Sequence, residues 1–524
     1  MRRQRGPSAA RLAAASFLLS ACAGCCPAPT AAPALRRALP PQRFRSPAAA
    51  EQKTGERALR ILSAAPELKA FLASRLSRPS SSGLAAAVVC GGERIWSLGL
   101  GVRDAGTQEP ITPETVFRIG SITKTFTGMA LLQLRDAGAL DLDDPVARWV
   151  PEIGRAIYPT ADSPRISLRH LVTHSSGLPR VGRLEYTDPD RAVTEQQLLD
   201  SLAELELVFV PGTRTEYSNL AMALAGLVVG RASGMPYRDY VSERILRPLG
   251  MDASVWDREA TAPERLATGY RKQGDALVPA GHWRLGAAEA MGGLYSTLAD
   301  MSRYAAFQLS AWPPSDRPDL GPLRRSSIRE SHLVAGFGQP GGESFGVNWA
   351  PSLVRHPQLG LVVSHTGATL QYSAAVWMLP ERDLGVVLLA NTGDYEALSA
   401  MAAGMLAIIL SHDPEPAPRL SAPLARALER SLALLAEPSR EGIEALFSSG
   451  FLEAIPAEQM LAFLARTGEL LGRCDEATAL RAPGEHSAVV RLGCAKGSAE
   501  LTLHVEPVAP FAITGFAIRP LRAD

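Results

Sequence analysis

The chain carries almost no excess of charge: 54 Lys and Arg stand against 53 Asp and Glu, a formal net charge of +1 over 524 residues. Without a sustained basic stripe, nothing points to a nucleic-acid partner. Tryptophan is scarce, at seven scattered copies, and no internal repeat is evident. Gly336, Gly338, Gly341 and Gly342 lack the strand–turn–helix setting of a nucleotide fingerprint and read as a loop. His170 and His174 have the spacing of a helical metal pair, but no acidic third ligand stands nearby. No metal or other cofactor is therefore expected. Cysteine is also sparse, at six copies. Cys90 closes an apolar strand and reads as a small core residue. Cys474 and Cys494 are placed to form a disulfide in an oxidising compartment, if the fold brings them together.

What is present begins at the amino terminus. Arg2, Arg3 and Arg5 precede an apolar stretch, Leu12 to Leu19, too short for a membrane span of roughly 20 residues. It ends in Leu19-Ser20-Ala21-Cys22, which matches the bacterial lipobox and makes Cys22 the expected lipidation site. An ordinary secretory signal is the alternative, and either reading exports the protein. A diacylated cysteine would hold the chain on a membrane of the bacterial cell envelope, with the catalytic part outside the cytoplasm. Residues 22–60 are rich in Ala, Pro and Arg and read as a tether. At 524 residues the chain exceeds one compact core. The division expected is a signal over 1–21, the tether, a catalytic domain over 61–412 and an accessory domain over 413–524.

Chemistry concentrates in three short segments. Ser121-Ile-Thr-Lys124 opens an apolar helical run through Phe126, Met129 and Leu134 that stops at Ala137-Gly138. Residues three apart share a helix face, so Lys124 points at the Ser121 oxygen. The free N–H groups of the first turn favour an alkoxide or oxyanion there. A serine hydroxyl needs such a base and such a site to act as a nucleophile. Glu216-Tyr217-Ser218-Asn219 follows a Pro211-Gly212 turn and opens a second apolar helix. A phenol beside a lysine suits proton transfer, and the Asn219 amide can donate to a substrate carbonyl and accept from the lysine. His365-Thr366-Gly367 ends a strand-like run, where glycine lets an acyl group lie close to the strand edge.

In this order and separation, the three segments resemble the serine β-lactamase and penicillin-recognising superfamily. The likeness is to its class C β-lactamase-like group of D-alanyl-D-alanine carboxypeptidases, D-aminopeptidases and esterases. Flanking text matches as well: Val116 to Ser121, Leu171 to Pro179, Pro248 to Met251 and Gly292 to Thr297. The resemblance implies Ser121, Lys124 and Tyr217 as the catalytic set. It implies Asn219, His365, Thr366, Gly367 and Ala368 as substrate-binding, with the oxyanion between the N–H groups of Ser121 and Ala368. Class C β-lactamases carry lysine where this chain has His365. A neutral imidazole holds a carboxylate poorly, which demotes efficient penicillin hydrolysis. The expected substrate is a small molecule or peptide of D-amino-acid type, with a carboxylester or a weakly hydrolysed β-lactam as the alternative. A cell-wall-fragment binder or sensor that does not hydrolyse is the reading from another class.

The expected fold is mixed, of α+β type. Strands over Ala85–Val89 and Ile95–Val102 join those around His365 in one antiparallel sheet flanked by helices. A helical subdomain carries Ser121 and Tyr217, and the site lies in the groove between. After Pro414-Glu415-Pro416 come helices over Leu424–Leu435 and Glu458–Leu470. Strands follow at Ala488–Leu492, Ala499–Val505 and Ala512–Ile518. This part loosely resembles a steroid-isomerase-like accessory domain and shows no catalytic set.

Overall fold

The computed structural model describes residues 51–76, 82–188, 191–274, 276–314, 318–333, 336–337, 344–345, 351–356, 359–414, 420–484 and 486–521. The proposed lipidation site, Cys22, lies outside them, as do Gly338, Gly341 and Gly342, while Gly336 sits in a two-residue strand paired with Ser344–Phe345. The chain divides into two compact units at Ile408/Ile409.

The first unit opens with helices α1 (Glu51–Ser63) and α2 (Ala65–Arg75). Residues 51–60, expected to belong to a tether, are thus helical. Ile61, Ala64, Leu68 and Leu72 are all buried, and their three-to-four spacing lines one face into the fold. The Arg57 guanidinium adds a hydrogen bond to the Arg382 carbonyl oxygen, 2.6 Å away. That anchorage is what the Ala- and Pro-rich composition concealed.

Six antiparallel strands form the main sheet: β1 (Gly83–Cys90), β2 (Glu93–Gly101), β3 (Pro351–His356), β4 (Gly360–Ala368), β5 (Ser373–Leu379) and β6 (Leu384–Ala390). Their order is β2-β1-β6-β5-β4-β3. Every residue of β1 and of β6 is buried, because the centre of the sheet is covered on both faces; such strands read as unbroken apolar runs. Leu84 pairs with Ala390 and Cys90 with Leu384, which fixes which side chains face each layer. Ala85, Ala87 and Val89 join the core cluster that contains Tyr304 and Phe307 of helix Leu298–Leu309.

Between β2 and β3 the chain builds the helical part. Helix α3 (Thr123–Asp136) and helix α4 (Asn219–Ser233) pack together, contributing Phe126, Leu131, Leu220 and Leu224 to the same core. Ser218 caps α4 by accepting from the Ala221 N–H, and Gly234 closes it in the left-handed region at φ 69°. A short ladder, Val116–Arg118 with Tyr295–Thr297, ties the approach to α3 to the Gly292–Thr297 segment. Thr297 caps the next helix through the Asp300 N–H, and the Asp300 carboxylate turns instead to the Ala253 N–H and Ser254. Helix Tyr395–His412 is long and apolar enough to cross a membrane by length and composition. Leu398, Met401, Ala402, Met405 and Leu406 are nevertheless buried within the fold, at the spacing of one packed helical face.

The second unit is a four-stranded antiparallel meander, Cys474–Gly484, Ser487–Cys494, Gly497–Val505 and Ile513–Leu521, with helices preceding it. Ala488, Val490, Leu492, Leu501 and Leu503 alternate inward against Leu424 and Leu435 of helix Ala422–Ala436 and Met460 and Leu464 of helix Ala457–Leu471. The first strand was not legible as one, since it mixes Asp475, Glu476 and Arg481 with alanines and carries several register shifts. It places Cys474 opposite Cys494, and the two form a disulfide.

Candidate active site

Ser121 sits in a single 3₁₀ turn, Gly120–Ile122, that runs directly into α3. This places its N–H among the groups with no intrahelical acceptor. The turn is held from behind: the Ile119 N–H donates to the Leu294 carbonyl oxygen at 3.0 Å and the Leu294 N–H to Thr123 Oγ1 at 3.2 Å. Arg118, itself buried, donates to the carbonyl oxygens of Gly292 and Trp283. These bonds give the Gly292–Thr297 segment its job, which is to clamp the start of α3.

Lys124 lies beneath Ser121 with its Nζ 3.1 Å from Ser121 Oγ. The side chain is fully buried. Burial, with the nearby Arg180 cation second, holds its amine well below the ordinary lysine range, so a neutral amine is accessible there. Its other bond is to the Met291 carbonyl oxygen, not to the Asn219 amide. The Tyr217 ring stands with its centroid 4.9 Å from Lys124 Nζ, so the second segment does reach the first.

Strand β4 supplies the opposite wall. A methyl group added to Gly367 would lie 1.9 Å from the Ile119 carbonyl oxygen and 3.2 Å from the Ser121 nitrogen, so no side chain fits between the strand and the turn. Gly120, at φ 52°, faces the same strand from the other side, 2.8 Å from the Ala368 nitrogen by the same construction. The close approach brings the Ser121 and Ala368 backbones side by side. His365 is buried, and its Nδ1 lies 2.6 Å from the Thr366 carbonyl oxygen, which makes Nδ1 the protonated nitrogen. Its Nε2 is buried with no hydrogen-bond partner. Burial, reinforced by Lys124, pulls its pKa down to about 3, so the imidazole is neutral.

Two further residues join the site without having been expected there. His174 stacks on Tyr217 with ring centroids 4.5 Å apart, and its Nδ1 accepts the Ser218 N–H at 3.1 Å. It is buried and held well below the ordinary histidine pKa, chiefly by burial and then by Lys124 and His365. His174 therefore positions Tyr217, while its sequence neighbour His170 exchanges capping bonds with Ser167. Arg180 follows the same loop and holds its guanidinium 5.1 Å from the centroid of the Tyr217 ring.

Ser121, Tyr217, Asn219, His365, Thr366, Ala368 and Arg180 line one cavity of about 410 Å³, with Lys124 beneath its floor and Gly367 in its wall. The arrangement joins a hydroxyl, a buried amine, a phenol and two adjacent backbone segments. Those are the parts for acyl transfer through serine. Among the described residues, no group of three His, Cys, Asp or Glu side chains is placed to hold a metal.

The Beta-lactamase family matches residues 68–408, and the chain belongs to that family. Beta-lactamase-like protein 2 of Dictyostelium discoideum is 38% identical over 215 residues, 39% of this chain and 38% of that one. The leading matches cover 38% to 58% of the curated relatives' own lengths. Among solved structures, the octameric penicillin-binding protein homologue from Pyrococcus abyssi aligns with a TM-score of 0.57 at 23% identity, covering 85% of this chain and 91% of that one. The beta-lactamase/D-alanine carboxypeptidase from Pseudomonas syringae aligns with a TM-score of 0.53 at 21% identity, covering 68% of this chain and all of that one. The fold is the mixed one expected of a serine hydrolase of this family.

Proposed function

We propose that this chain is an exported serine hydrolase that forms an acyl-enzyme on Ser121 and cleaves D-amino-acid peptides. The observation that carries the reading is the fully buried Lys124 amine 3.1 Å from Ser121 Oγ. A neutral amine there takes the serine proton as Oγ attacks the acyl carbon. The oxyanion forms against the Ser121 and Ala368 N–H groups, Tyr217 delivers the proton to the leaving group, and water then releases the acyl group. Arg2, Arg3, Arg5 and the Leu19–Cys22 text support export with a lipid on Cys22, and the Cys474–Cys494 disulfide suits an oxidising compartment. Carboxylester hydrolysis is the second reading, favoured by the neutral His365, which offers no charge to an anionic substrate.

The substrate class is tested by kcat/KM for an N-acyl-D-alanyl-D-alanine dipeptide against its L,L isomer and against an uncharged aryl ester of the same acyl group. The expected result is turnover of the D,D dipeptide, with the L,L isomer at least about 100-fold slower. Turnover of the ester with neither dipeptide cleaved moves the assignment to an esterase.

A further inference from the structure

The geometry points to Arg180 as the residue that recognises a carboxylate on the leaving-group side of the substrate, in place of the His365 position. The inference rests on the serine-hydrolase reading above and deepens it. Arg180 lines the cavity with Ser121 and Tyr217, and its side chain is exposed there. Its backbone is fixed, because its carbonyl oxygen accepts from the N–H groups of Asn219 at 2.7 Å and Leu220 at 3.2 Å at the start of α4. The guanidinium lies over the Tyr217 ring, a contact that orders the long side chain while leaving its N–H edges free for a planar anion.

Among the described residues, no acidic side chain neutralises that cation, since no carboxylate lines the cavity beside Arg180. Lys124 is spent on Ser121 and the Met291 carbonyl oxygen below the floor. His365 is neutral, with Nδ1 on the Thr366 carbonyl oxygen and Nε2 buried, so it offers no positive charge to a carboxylate. Among the described lining residues, the cavity is thus a neutral or positive space in which Arg180 offers a bidentate donor. Tyr186 and Trp283, in edge contact at 5.7 Å, and Leu285 supply an apolar wall of the same cavity. A free amine on the substrate would meet no counter-charge there, which sets carboxypeptidase-type substrates above aminopeptidase-type ones. Because Arg180 sits on Tyr217, the ring that serves the leaving group, the carboxylate belongs to the departing half.

Two thioesters test this on the purified full chain. They share one N-acylglycyl group, and one leaves as mercaptoacetate, the other as its uncharged amide. Wild-type protein is expected to favour the acid by about 10- to 100-fold in kcat/KM, the range of a charge-assisted hydrogen bond. Arg180→Ala should bring that ratio to about one, and Arg180→Glu should invert it. Any effect of Arg180 on the Lys124 amine acts on both thioesters and cancels in the ratio. A wild-type ratio near one, or a preference that survives in Arg180→Ala, overturns the assignment alone. Failure of wild type to be acylated by either thioester overturns the serine-hydrolase reading and the assignment with it.

Discussion

Lys124→Met is expected to slow acylation about 10²- to 10⁴-fold, the span of a lost general base. It should also remove the rising limb of the pH profile. In the wild type, kcat/KM climbs as pH passes upward through the lowered pKa of Lys124, because only the neutral amine accepts the serine proton. The same shift has a stability consequence of definite sign. Burial penalises the charged amine in the folded state, while the unfolded chain keeps its proton up to the ordinary lysine range near 10.4. Between those two values the unfolded state binds more protons, so wild-type stability rises with pH across that window. The methionine variant lacks this term. Its stability relative to wild type should therefore be greatest below the lowered pKa and shrink as pH rises toward about 10. Chemical denaturation at several pH values measures this, and a difference independent of pH would contradict a buried, depressed Lys124.

Gly367→Ala should come next in size. The new methyl group would meet the Ile119 carbonyl oxygen at 1.9 Å and carbonyl carbon at 2.9 Å, backbone atoms of a residue whose N–H is tied to the Leu294 carbonyl oxygen and whose carbonyl oxygen accepts from the Ile122 N–H. Strand β4 has to move away from the Ser121 turn, which carries the Ala368 N–H out of reach of an oxyanion. Loss of one such donor costs about 10²- to 10³-fold in rate. Overpacking costs about 1–3 kcal/mol of stability, a smaller effect on a unit with this large a core. Single-turnover acylation rates beside thermal unfolding separate the two, and a folded variant with undiminished acylation would remove β4 from the oxyanion site.

Much of this site was legible in the sequence because its parts lie at the starts of amphipathic or apolar helices. Ser121 and Lys124 share a face by spacing alone, and Pro211-Gly212 followed by an apolar run marks where α4 begins. The sheet was legible for the same reason, since β1 and β6 are unbroken apolar runs. His174 and Arg180 were not, because their importance arises from a loop folding onto Tyr217 and no periodicity reports that. The His170–His174 spacing suggested a metal pair, yet the two rings face different partners. Helix α1 hid in a composition that reads as linker, and only the buried Ile61 and the Arg57 bond to the Arg382 carbonyl oxygen register it as packed. The Cys474–Cys494 link needed the pairing of two strands, one of which the sequence did not announce.

The central claim is a covalent acyl group on Ser121. It is tested by incubating the full chain in detergent with the mercaptoacetate thioester or a penicillin, quenching in acid, and mapping the mass increase by peptide, with Ser121→Ala alongside. The expected result is an increase equal to the acyl group, confined to the peptide that contains Ser121 and absent from the alanine variant. An equal increase on Ser121→Ala, or label mapped to any other residue, would contradict it.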